Sequence, residues 1–367
     1  DPLAFVNTNI LGTMHLLNFP PPPAPRAHAL PMPYRWLEIY LLGPNFARLW
    51  PTIGIGEALM KFGISIIVRG ADATPAILRN VAARAEALKL DALWVSDHLI
   101  IPKQTVSRYP GSADGEMPQS WKSTYYQPFS VLNFLAGLTT TIRLGTSVLV
   151  FPMRNPIEVA TQVAELDRLS GGRVNFGVGV GWFAEEFAAL GYPFHERGAR
   201  TNEGLAVCKA LWAEGTATFN GRFNSFEGAS MGPKPVQRPH PPIYVGGDSA
   251  AAFKRLADHG DVWHPLKPTP ETIEAAKPRL AEAMAAAGRP AADIAIAPKI
   301  VLRFQDGPPG DGQAPTEGRP RDIIDALHRF RDAGATEFCF DPTAETEAVV
   351  LDTMERFAQE VRPKLTE

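Results

Sequence analysis

From Met60 onward the chain alternates, eight times over, between a short apolar run bounded by turn residues and a longer stretch with apolar positions at helical spacing. The runs are Lys61–Val68, Ala92–Asp97, Ile142–Val150, Val174–Val180, Ile243–Gly246, Asp261–His264, Ile294–Phe304 and Glu337–Phe340. The helical stretches are Pro75–Leu88, Pro128–Thr139, Pro156–Leu169, Arg197–Trp212, Ser249–Asp258, Glu271–Ala287, Arg321–Asp332 and Glu345–Val361. Parallel strands need crossovers long enough to hold a helix, so this rhythm selects an α/β architecture. In Pro156–Leu169, Asn155 is a good N-cap and Pro156 suits the first helical position. Ile157, Ala160 and Ala164 share a face, and Gly171-Gly172 supply a left-handed stop. Eight βα units over residues 60–367 predict a (β/α)8 TIM barrel of roughly 250 residues plus insertion segments. The insertions fall at Lys103–Gln127 and Thr216–Pro242, the second holding a hairpin, Thr218–Phe226, that turns at Asn220-Gly221. A doubly wound open sheet is the competing arrangement, but its GxGxxG loop after the first strand is missing. The nearest match, Gly177-Val-Gly-Val-Gly-Trp182, has its third glycine one place too early and follows the fourth run.

What precedes Met60 breaks the rhythm. Residues 20–33, PPPPAPRAHALPMP, favour polyproline II and forbid a helix interior. Residues 1–59 are therefore expected to be an N-terminal extension, disordered or outside the native domain, with Met60 as the natural start. Charge narrows the partners: 36 Lys and Arg against 39 Asp and Glu leave a net −3 with no like-charged run. Neither nucleic acid nor an anionic membrane surface finds an electrostatic footprint in that distribution. No apolar stretch approaches the roughly 18 residues of a bilayer-spanning helix. Cys208 and Cys339 stand too far apart for a CxxC pair or a local metal-thiolate cluster, and no signal-peptide pattern is seen. A cytoplasmic location is expected.

In such a barrel the active site lies at the C-terminal ends of the strands, so the residues that follow each run are the candidates. They are Ser96-Asp97-His98, Gly145-Thr-Ser147-Val148, then Gly179, Gly181 and Trp182, then Gly246-Gly247-Asp248-Ser249, and His264. Glycines and polar groups converging on one rim suit a large, flat or phosphorylated ligand. The histidines show neither HxH nor HExxH spacing, so no metal site is expected. His98 beside a carboxylate is the candidate for proton transfer, with strand-end capping as its plain structural alternative. The Gly246–Ser249 turn precedes a helix whose amides could hold a phosphate, or it is an N-cap by Asp248 or Ser249. Gly177, Gly179 and Gly181 leave one side of a strand bare, either for a ligand ring or for large neighbours such as Phe176 and Trp182. Arg197 and Arg200 could reach an anionic tail or substrate but read first as surface partners of Glu196 and Glu203, and Trp94 and Trp263 read as core. With no GxSxG, hydrolase chemistry is unsupported.

Six motifs taken in order carry a resemblance. They are Leu93-Trp-Val-Ser-Asp-His98, Arg143-Leu-Gly-Thr-Ser-Val-Leu149, Arg154-Asn-Pro156, Leu166-Asp-Arg-Leu-Ser-Gly-Gly-Arg173, Gly177-Val-Gly-Val-Gly-Trp182 and Pro242-Ile-Tyr-Val-Gly-Gly247. Over Met60 to about Arg362 the chain resembles the luciferase-like monooxygenase superfamily, in its branch of oxidoreductases that use the deazaflavin coenzyme F420. The resemblance implies a bacterial luciferase-like TIM barrel and hydride transfer between F420 and a small organic substrate. It implies that Asp97 contacts the ring system and that His98 donates a proton or stabilises the reacting oxygen. Ser147-Val148 would form a non-proline cis peptide beneath the ring. Val150, Gly179, Val180 and Gly181 would line the coenzyme, while Gly246, Gly247, Ser249 and Ala250 would hold its phosphate. One departure stands out. The sugar-phosphate dehydrogenases of this branch have a glutamate where this chain has Trp182, with Glu185 and Glu186 one turn on, so their acid/base scheme is not carried over. The alternative reading is an FMN-dependent two-component monooxygenase that takes reduced flavin from a partner reductase and uses oxygen. The third is a non-catalytic flavin-binding protein. A homodimer through barrel helices is common in the superfamily. Tyr109, Trp121, Tyr125 and Tyr126 suggest an apolar or conjugated substrate, or a cover for the barrel mouth.

Overall fold

The structure, a computed structural model, describes residues 60–365 apart from 71, 104, 113, 118–124 and 344–345. The expected extension, residues 1–59, and Trp121 lie outside the described residues. The strands are β1 (Lys61–Ser65), β2 (Ala92–Val95), β3 (Arg143–Thr146), β4 (Leu149–Val150), β5 (Val174–Gly179), β6 (Ala217–Asn220), β7 (Ser225–Ala229), β8 (Ile243–Gly246), β9 (Val262–His264), β10 (Ala295–Ile296), β11 (Lys299–Val301), β12 (Arg303–Phe304), β13 (Glu317–Gly318) and β14 (Glu337–Asp341). The α-helices are α1 (Pro75–Ala87), α2 (Pro128–Ala136), α3 (Pro156–Leu169), α4 (Ala184–Ala189), α5 (Arg197–Trp212), α6 (Ala250–His259), α7 (Pro270–Ala286), α8 (Pro320–Asp332) and α9 (Glu347–Arg356).

A parallel sheet runs β1, β2, β3, β5, β8, β9. Closure comes from one run in two halves: β10 pairs with β9, β11 pairs with β14, and β14 pairs with β1. The cylinder is thus the expected eight-stranded barrel. Two expected strands divide. Ile142–Val150 becomes β3 and β4, separated by a cis peptide between Ser147 and Val148. Ile294–Phe304 becomes β10, β11 and β12, the last pairing with β13 outside the barrel sheet. α3 starts as the sequence predicts: Asn155 accepts from the Ile157 amide and Pro156 opens the helix. The hairpin β6–β7 forms, but its loop is Gly221 to Asn224 and not a two-residue turn. Glu203 on α5 accepts from the amides of Arg222, Phe223 and Asn224, so a side chain from another element shapes the loop.

Alternation along the strands separates lumen from exterior. On β14, Phe338 and Phe340 face outward and stack on Phe62, while Cys339 joins Ala92, Trp94, Tyr244, Val262 and Ala297 in the lumen. The Trp94 ring fills that space because its neighbours have no side chain: a Cβ on Gly63 would come within 2.4 Å of it and one on Gly145 within 2.3 Å. Below the mouth the barrel is therefore packed solid, and any ligand must bind above it. No helix of the described residues is long and apolar enough to cross a membrane.

Candidate active site

Asp97 and His98 leave the end of β2 in different company. The Asp97 side chain is fully buried; both its oxygens accept from Arg154, at 2.7 and 2.8 Å, and Oδ2 also accepts from the Val150 amide at 2.8 Å. Burial pushes its carboxyl above the ordinary range, against the pull of Arg154 and the Val150 amide. Asp97 thus fastens β2 to β4, and its oxygens are engaged by protein. His98 is 7% exposed, and its Nδ1 lies 2.8 Å from Oε2 of Glu186, which is 1% exposed on α4. The other Glu186 oxygen accepts from the amides of Leu99 at 2.6 Å and Ile100 at 3.2 Å. Tyr125, Trp182 and Phe183 meet the His98 ring edge-on, with centroids 5.3, 6.1 and 6.0 Å away. The Tyr125 hydroxyl bonds Ser96 Oγ at 2.6 Å, and Tyr109 packs on Trp182 at 5.4 Å. Beside them a cavity of about 270 Å³ opens between residues of the Lys103–Gln127 insertion, among them Val106, Ser107 and Arg108, and the Trp182-Phe183 pair.

The structure answers what the glycines of β5 are for. A Cβ on Gly177 would sit 1.9 Å from the Thr146 carbonyl oxygen, one on Gly179 would sit 2.5 Å from Val148, and one on Gly181 would sit 2.6 Å from Val150 and 2.8 Å from Phe187. The room is taken by the β3–β4 segment and Phe187, which corrects the reading that Phe176 or Trp182 needs it. Val148 projects between Gly179 and Gly246, where a Cβ on Gly246 would be 3.5 Å away. Val150 packs with Met153 and Phe187, while Gly179, Val180 and Gly181 are partly exposed at the mouth.

His264 is not on the rim. It is 3% exposed in the lumen, stacked 5.3 Å from Trp94. Burial pushes its imidazole down to about 4, so it is neutral near pH 7. Its Nδ1 lies 2.5 Å from the Ala297 carbonyl and must donate to it; Nε2 therefore accepts from Ser147 Oγ at 2.8 Å. The loop before α6 is exposed over residues 247–249, with Gly247 at φ 95°. Ser249, not Asp248, caps the helix by accepting from the Ala252 amide. Trp263, a core residue as expected, donates to the Gly247 carbonyl at 2.8 Å, and Arg279 donates to that of Asp248 at 2.6 Å. Arg200 pairs with Glu196, but Arg197 lies over the Phe194 ring and Glu203 holds the hairpin loop, so that part of the expected pairing does not form.

Four residues carry no local sequence signal for the partners they find. Glu186 reads in sequence only as an acidic neighbour of Trp182, and Arg154 only as part of a motif. Lys299 and Asp341, 3.5 Å apart and both largely buried, come from strands that meet only on closure. Burial would raise the Asp341 carboxyl, yet Lys299 and Arg69 hold it low.

The family profile described as luciferase-like monooxygenase matches residues 60–308. An uncharacterised protein of Mycobacterium tuberculosis is 30% identical over 302 residues, covering 80% of this chain and 97% of its own length. An F420-dependent glucose-6-phosphate dehydrogenase of Kineococcus radiotolerans is 32% identical over 242 residues, 64% of this chain and 66% of that protein. An FMNH2-dependent dimethylsulfone monooxygenase of Pseudomonas putida is 33% identical over 142 residues, 38% and 39% of the two chains. Among solved structures, the F420-dependent tetrahydromethanopterin reductase of Methanopyrus kandleri superposes with a TM-score of 0.65 at 19% identity, over 84% of this chain and 100% of that one, a likeness of fold. The profile match spans well over half of the chain, which therefore belongs to the luciferase-like monooxygenase family.

Proposed function

We propose that this protein is an oxidoreductase that transfers hydride between coenzyme F420 and a small organic substrate, with His98 as the proton-transferring residue. The observation that carries the reading is His98 itself: an imidazole held by a buried carboxylate among the aromatic residues of the mouth, on a barrel whose lumen is closed. The residues present fit a flat, phosphorylated coenzyme. Val148, seated between Gly179 and Gly246 and partly exposed, offers a shelf for a ring, and the α6 amides after Gly247 offer a phosphate seat held by Trp263 and Arg279. When bound, F420 supplies the hydride chemistry. The chain supplies the rest: Asp97 and Arg154 hold the β2 end rigid, His98 presents or receives a proton, and Tyr109, Tyr125 and Trp182 shield the site from water. Those aromatics suit an apolar or conjugated substrate.

The Pseudomonas putida relative favours a second reading, an FMN-dependent monooxygenase supplied by a separate reductase. Side-by-side fluorescence titration of the purified protein with F420 and with FMN separates them. Tight binding of F420 is the expected result, and tight binding of FMN with none of F420 overturns the proposal.

A further inference from the structure

We infer that Glu186 is a positioning residue that locks His98 in the Nδ1–H tautomer, making Nε2 the atom that exchanges a proton with the substrate; the inference rests on the role of His98 proposed above. Glu186 lies 88 residues from His98 in sequence and is 1% exposed. Its carboxylate offers only acceptors, and two are already directed at the backbone donors of Leu99 and Ile100, which cannot turn away. The His98 nitrogen 2.8 Å from the remaining oxygen must therefore carry the hydrogen. The same clamp fixes where the ring stands, because the amides that Glu186 holds are those immediately after His98.

His264 gives the contrast that assigns the role. It too donates from Nδ1, to the Ala297 carbonyl, but its Nε2 is consumed by Ser147 inside the lumen. His98 has no hydrogen bond at Nε2 among the described residues, and aromatic edges bound its ring. One histidine is saturated at both ends, while the other is anchored at one end and open to chemistry at the other.

Substitution by glutamine tests this sharply, because an amide side chain has one acceptor and one donor end. In Glu186→Gln the oxygen is required by the Leu99 and Ile100 amides, so the NH2 group faces Nδ1 and the imidazole must switch to Nε2–H. The experiment is ring ¹⁵N NMR of the full chain labelled at histidine, recorded at alkaline pH where an ordinary imidazole is neutral. The His98 signal is assigned by its loss in His98→Asn. The expected results are Nδ1–H in the native protein, Nε2–H in Glu186→Gln, and turnover reduced about 100-fold by the switch. Glu186→Ala, which leaves nothing to choose between tautomers, is expected to show both. An Nε2–H native protein, or Nδ1–H retained in both variants, overturns the inference. Undiminished turnover in His98→Asn would instead sink the proton-transfer role while the tautomer shifts still report on Glu186, so the two failures are distinguishable.

Discussion

Trp94 and His98 stand four residues apart on the same rising segment, one in the lumen and one at the mouth, and they keep different kinds of neighbour. Around Trp94 are Gly63, Gly145, Tyr244 and His264, all delivered by strands whose register sets their height in the barrel. Around His98 are Tyr125, Trp182, Phe183 and Glu186, all delivered by the segments above the strands. In the lumen, a ring fills the space above bare glycines and His264 is bonded at both nitrogens. At the mouth, His98 is bonded at one nitrogen and the other is left over. The difference predicts that lumen substitutions act on stability and mouth substitutions act on chemistry.

Gly177→Ala is the severest trial of the first half. Its Cβ would meet the Thr146 carbonyl oxygen at 1.9 Å, and the two residues are also joined by Thr146 Oγ1, which donates to the Gly177 carbonyl and accepts from its amide. Neither side can give way without parting β3 from β5. The expected cost exceeds the ~1–3 kcal/mol of ordinary overpacking, and urea unfolding measures it. An unfolding midpoint equal to the parent's would show that the lumen is not closed as described. Arg154→Ala lies on the boundary between the two regions. It leaves the fully buried Asp97 carboxylate with only the Val150 amide, so a loss of about 3 kcal/mol is expected in the same assay. A change below ~1 kcal/mol would mean that Asp97 is not held as an ion pair.

His98→Asn tests the other half. The asparagine amide can replace Nδ1–H as the donor to Glu186 but has nothing in place of Nε2. Stability should change by less than ~1 kcal/mol while turnover falls at least about 100-fold. Loss of stability with turnover intact would invert the contrast between lumen and mouth.

The two regions also differ in how legible they are in sequence. Strand positions, the start of α3 and the core roles of Trp94 and Trp263 follow from periodicity and capping, which are local. The Trp94 neighbours are half-legible, since a glycine on an inward position announces a bulky partner without naming it. The mouth is not local. Glu186 sits on α4, only six residues long and without a side-chain cap, and its partner depends on how far the end of β5 stands from the end of β2. Arg154 is visible within its motif, but its partner Asp97 is 57 residues away. Lys299 and Asp341 become neighbours only when β11 meets β14. The hairpin shows a milder case: Asn220-Gly221 marks where the chain turns, whereas the loop's length follows from Glu203 on another element.

The smallest effect is the one that distinguishes the wall of the mouth from its working residues. Glu185, next to Glu186, accepts from the amides of Val106 and Ser107, two residues that line the cavity. Burial would raise its carboxyl, but the Ser107 hydroxyl and these two amides outweigh it and hold the group down from 4.5 to about 2. A carboxyl lowered by folding adds stability that is complete above its unfolded value and disappears as pH falls toward the folded one. The tether of the Val106–Ser107 segment should therefore weaken between about pH 4.5 and 2, by less than ~1 kcal/mol because the group lies near the surface. Amide exchange at Val106 and Ser107, corrected for intrinsic rates, should accelerate across that interval relative to amides of the lumen strands. Glu185→Gln should remove the pH dependence. Equal acceleration in β3 and β5 would mean that wall and lumen loosen together, and the separation drawn between them would fail.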